Sequence, residues 1–73
     1  MNIRKRVGQR LRRLRLAMNY SQKAVATDLG LATSTISHWE RGSRAVDIDV
    51  IHRLASYFGI KPHELLCDER VER

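Results

Sequence analysis

At 73 residues and 8.5 kDa the chain has material to bury one hydrophobic core and not two, so a single domain is expected at residues 1–67, with a charged, frayed tail at 68–73. A single Cys leaves no internal disulfide, and no apolar run approaches the length of a membrane span; both argue for a cytoplasmic protein, away from membranes. The formal charge of +6 is unevenly placed, because Arg4, Lys5, Arg6, Arg10, Arg12, Arg13, Arg15 and Lys23 all precede the first acid, Asp28. Such a field concentrates polyanions, of which nucleic acid is the commonest soluble one, although a solvated basic helix face would have the same composition.

Gly30, Gly42, Gly59 and Pro62 punctuate the sequence. Between them the apolar residues recur at spacings of three and four, which predicts helices and no strand. The first helix is expected from about Arg4 to Met18, with Val7, Leu11, Leu14 and Met18 on one stripe and Asn19 as a left-handed stop. Ser21 caps a second helix, Gln22 to Leu29, whose Val25, Ala26 and Leu29 face inward and whose stop is Gly30. A third runs from about Thr33 to Arg41 and ends at Gly42. Asp47 caps a fourth, Ile48 to Phe58, with Ile48, Ile51, Leu54, Ala55 and Phe58 as its core stripe and Gly59 as its end. Pro62 suits the first turn of a fifth helix carrying Leu65 and Leu66. The fold class is therefore all-α, a compact five-helix bundle, and its second and third helices joined by a tight turn form a helix-turn-helix.

The third helix can be read by angle, at about 100° per residue. With Ile36 at the centre of the buried face, Trp39 falls about 60° to one side and Glu40 about 40° to the other, while Ser34, Ser37, His38 and Arg41 point away. The outward face thus consists of short polar groups, an imidazole and a guanidinium, without the alternating Glu and Lys of a merely solvated helix. Ser, Thr and His can hydrogen-bond base edges or phosphates, and short side chains let a helix sit deep in a groove.

A carboxylate on a core-facing arc is costly unless paired, so Glu40 should have a cation. The same construction on the first helix, centred on Leu11, puts Arg15 about 40° away and inside the stripe, unlike Arg12 or Arg13. Two misplaced charges of opposite sign predict one structural ion pair, Arg15 with Glu40.

The run from Ser21 to Ala26, then Gly30-Leu31, then Thr35-Ile36-Ser37-His38-Trp39-Glu40-Arg41-Gly42, resembles the Cro and phage-repressor (Xre-type) helix-turn-helix family. The likeness extends from about Val7 to Leu66, through Leu11-Arg12-Arg13-Leu14-Arg15 and the closing Gly59-Ile60-Lys61-Pro62. What it implies is sequence-specific double-stranded DNA binding by a transcriptional regulator, a repressor by expectation, whose third helix enters the major groove; phage repressors are the standard examples of this docking. Carried over by position, Thr33, Ser34 and His38 read bases, with Ser37 a secondary reader. Gln22, Lys23, Arg41, Ser43 and Arg44 take the DNA backbone, and Arg15 and Glu40 match a buried ion pair. Ala32 departs from the usual Ser or Thr cap, and Asn19 replaces a frequent Gly.

Other classes of function fare worse. The three histidines lie on different helices, and no Cys-His pair suited to a buried nucleophile is evident, so no enzyme is expected. His63 and Cys67 have a metal-ligand spacing, but two ligands do not make a site, and neither metal, cofactor nor small-molecule ligand is expected. The serious competitor is a protein-interaction module of the same fold, such as an antitoxin or anti-repressor, which would show aromatic or aliphatic anchors on the third helix. One short reading helix contacts too few base pairs for genomic selectivity, so a homodimer on a pseudo-palindromic operator is expected, joined around Pro62 to Cys67 with neighbouring Tyr57.

Overall fold

The computed structural model describes residues 2–66. The expected tail at 68–73, the domain boundary before it, and Cys67 lie outside the described residues. Five helices follow in order: α1 (Ile3–Ala17), α2 (Gln22–Leu29), α3 (Thr33–Arg41), α4 (Ile48–Phe58) and α5 (Pro62–Leu66). Several boundaries have a local cause. Asn2 accepts from the backbone of Arg4 and Lys5, which starts α1 one residue earlier than expected. Ser21 accepts from Ala24 N at 2.9 Å and Asp47 from Val50 N at 3.0 Å. Asn19, at φ 61°, takes the left-handed conformation that ends α1.

Every helix sends a large side chain to the dry centre: Leu11, Val25, Ile36, Leu54 and Leu65 are the largest fully buried ones, one each from α1 to α5. Burial of each is worth about 1.5–3 kcal/mol, so no helix can leave without exposing a core residue. Two expected stripe residues fall outside this core. Met18 is 43% exposed and Ile48 62%. Met18 sits at the C-cap of α1, where the chain already turns away. Ile48 and Asp49 form an exposed first turn of α4, and burial begins only at Val50 and Ile51.

Polar contacts fasten α4 to the end of α2. Arg53 Nη2 donates to the carbonyl of Leu29 at 2.7 Å, satisfying one of the acceptors a helix C-terminus leaves open. Tyr57 donates its hydroxyl to Asp28 Oδ2 at 2.6 Å, with its ring edge-on to Phe58 and beside Tyr20. Burial, then the bond to Asp28 and its charge, push the Tyr57 phenol up from 10.0 to about 12. An unfolded chain ionises this phenol first. The contribution is therefore complete below pH 10, the ordinary value, and is lost as pH rises through about 12. Tyr57→Phe should cost about 1 kcal/mol at neutral pH. In urea titrations across the alkaline range the gap between variant and parent should close; a gap that stays constant to the top of the range would refute the linkage.

Candidate nucleic-acid interface

Gly30, in the left-handed conformation at φ 72°, ends α2 and lets Leu31 N reach back to the carbonyl of Ala26 at 2.8 Å. The short turn that follows sets α3 across α2. Ala32 offers no side-chain cap, yet α3 begins at Thr33, with Thr35 N bonded to the carbonyl of Ala32 at 3.0 Å. Tertiary packing of Ile36 and Trp39, rather than the cap, holds this start.

The outward side of α3 carries Thr33, Ser34 and Arg41, all exposed, and Ser37 and His38, half-buried. It presents no large apolar anchor of the kind a protein-interaction module would need. The polar groups are joined to one another. Arg41 Nη1 donates to Ser37 Oγ at 2.9 Å and Arg41 Nη2 lies 3.2 Å from His38 Nδ1. Ser43 Oγ is 3.1 Å from the same ring nitrogen and donates to the carbonyl of His38 at 3.2 Å. Gln22 and Lys23 open α2, and Ser43 and the exposed Arg44 follow Gly42 at the far end of α3.

Behind this face lies a buried polar network. Arg15 Nε donates to Glu40 Oε2 at 2.6 Å and Arg15 Nη2 to Glu40 Oε1 at 3.0 Å, a two-pronged pairing, while Arg15 Nη1 donates to the carbonyl of Tyr20 at 2.8 Å. Glu40 Oε1 also accepts from Gln22 Nε2 at 3.0 Å. The carboxylate thus receives donors from α1 and from the first residue of α2, so that α3 is oriented by both. Hydrogen bonding to Glu40 raises the Arg15 guanidinium above its ordinary value, against the opposing effect of burial. Gln22, expected on the DNA backbone, has its amide turned into this network.

Sequence reasoning missed how closely α1 approaches the end of α3. A Cβ on Gly8 would stand 2.2 Å from the carbonyl oxygen of Trp39 and 2.8 Å from that of Glu40. One on Gly42 would stand 2.7 Å from Lys5 Cγ and 3.0 Å from Lys5 Cα. Two glycines therefore let two backbones touch, and the contact brings Lys5 against Gly42 at the C-terminal end of α3. The available signal was Gly8 itself, because a glycine inside a helix costs about 1 kcal/mol and needs a packing reason.

The helix-turn-helix family profile matches residues 11–65. The chain belongs to this family, of the Xre type. It is a sequence-specific DNA-binding regulator and not an enzyme. Control protein C.BamHI of Bacillus amyloliquefaciens is 39% identical over 66 residues, which is 89% of this chain and 82% of that one. The crystal structure of the restriction-modification controller protein C.AhdI from Aeromonas hydrophila matches with a TM-score of 0.78 and 42% identity, over 85% of this chain and 94% of its own. The BldD DNA-binding domain of S. venezulae matches with a TM-score of 0.80 and 28% identity, over 92% and 100%. Among the described residues no helix is long and apolar enough to cross a membrane.

Proposed function

We propose that the chain is a cytoplasmic transcriptional regulator, a repressor of the restriction-modification controller kind, which binds a pseudo-palindromic operator as a homodimer. The observation that carries this reading is the outward face of α3, short-chained from Thr33 to Ser37 and free of carboxylates, with Lys5 and Arg44 close to its C-terminal end. Thr33, Ser34, Ser37 and His38 read base edges in the major groove. Lys5, Lys23, Ser43 and Arg44 take phosphates, and Gln22 braces α3 through Glu40 while its backbone end of α2 faces the duplex. The likeness to C.BamHI and C.AhdI over most of each chain supports the controller assignment.

A dimer doubles a readout that one nine-residue helix leaves too short for genomic selectivity. For its contact we propose α5, where Pro62 and Leu66 are only half-buried, together with the partly covered ring of Tyr57.

Selection of bound duplexes from a random pool tests the reading. The expected product is an inverted repeat with half-sites about 34 Å apart, bound by two chains. Log affinity should fall linearly with log salt, and Arg44→Ala should weaken all sequences alike while reducing the slope by about one. Ser34→Ala should cost about 1–3 kcal/mol on the selected site alone. No consensus, or affinity indifferent to salt, would overturn DNA reading; one chain per duplex with full specificity would overturn the dimer.

A further inference from the structure

Arg41 follows the reading residues on α3, where a phosphate clamp would be expected, yet its guanidinium is turned back onto the helix. It donates to Ser37 Oγ at 2.9 Å, one turn earlier, and meets His38 Nδ1 at 3.2 Å. A guanidinium has donors only, so the ring nitrogen that faces it must be the acceptor. The neutral imidazole then carries its proton on Nε2, and the network fixes the tautomer. The single hydroxyl proton of Ser43 lies toward the His38 carbonyl at 3.2 Å, with Nδ1 3.1 Å from the same oxygen, so Arg41, which has no acceptor, is the contact that decides the tautomer. Across the ring, Nε2 has no hydrogen-bond partner among the described residues, and it is a donor.

We propose that Arg41 is a positioning residue that makes His38 a dedicated donor, so that His38 selects an acceptor on the base edge: purine N7, guanine O6 or thymine O4. The exocyclic amines of cytosine and adenine, being donors, are rejected. Arg41 and His38 act on one base pair, whereas Arg44 acts on the backbone. This rests on α3 being the element that reads DNA, as argued above, and refines how it does so.

Two measurements on the full chain test it. In the free protein, two-dimensional nitrogen–proton NMR of the His38 ring should show the Nε2–H tautomer, and Arg41→Ala should return the ring to a mixture. A mixed ring in the parent protein, or an unchanged one in the variant, overturns the proposal without any DNA. Sequence selection is the second test. His38→Ala and Arg41→Ala should each lose about tenfold discrimination at one and the same base pair, and the double variant should lose no more there than either single one. Replacing the preferred purine by its 7-deaza analogue should weaken the parent and leave His38→Ala indifferent, when the selected base is a purine. If Arg41→Ala keeps every base preference and only lowers the salt slope, Arg41 is a phosphate contact and the proposal fails while DNA reading stands. If no variant and not even the parent selects a consensus, the reading of α3 itself has failed.

Discussion

Glu40→Ala is expected to lower folding stability by about 3–5 kcal/mol, the usual loss when one partner of a buried ion pair is removed. The side chains of Arg15 and Glu40 are 9% and 3% exposed, so the orphaned guanidinium has little water to turn to. It would keep one bond, from Nη1 to the carbonyl of Tyr20, and lose the two to the carboxylate. A domain of this size has about 5–15 kcal/mol in total, so the variant should melt far below the parent or be partly unfolded at room temperature. Arg12→Ala, one turn away on the exposed side of α1, should change the melt little. The cost of orphaning is separate from the net worth of the pair. Replacing both residues by Met should therefore be milder than Glu40→Ala, although Gln22 then loses its acceptor as well. Thermal melts of the four proteins decide the matter, and equal melting of Glu40→Ala and Arg12→Ala would show that the pair contributes nothing.

That pair was legible before any coordinates because it violates the hydrophobic period in two helices at once. The helix ends were legible for a similar reason: Ser21, Asp47, Gly30, Gly42 and Gly59 are residues whose local chemistry suffices to start or stop a helix. What periodicity cannot supply is the neighbour. Ile48 has the right angle for the core stripe of α4, but it stands in a first turn that no other element covers. Met18 fails in the same way at the other end of α1. The reading face shows the limit more sharply, because angle alone turns Arg41 outward and leaves it available to phosphate. Only the distances to Ser37 and His38 show that two of its five donors are engaged within the helix. Lys5 escaped notice for want of any partner in sequence, since its place beside Gly42 depends on the packing of α1 against α3.

Gly8→Ala should destabilise the protein by about 3 kcal/mol, the upper part of the range for overpacking a filled interior. The sign is opposite to the ordinary rule, by which alanine improves on glycine inside a helix by about 1 kcal/mol. Here the added methyl carbon would meet backbone atoms at 2.2, 2.8 and 3.0 Å, the carbonyl oxygens of Trp39 and Glu40 and the carbonyl carbon of Glu40. No side-chain rotation relieves such contacts, so α1 must draw back from the C-terminal end of α3. That movement pulls Arg15 away from Glu40 and loosens the end of the reading helix where His38 and Arg41 sit. Two effects should therefore appear together in Gly8→Ala, lower stability in urea and weaker binding to the selected operator at temperatures where the variant is still folded. Gln9→Ala, an exposed position on the next residue of the same helix, should be neutral or slightly stabilising. Should Gly8→Ala prove as stable as its parent, the close contact of α1 with α3 would not be what fixes the reading helix.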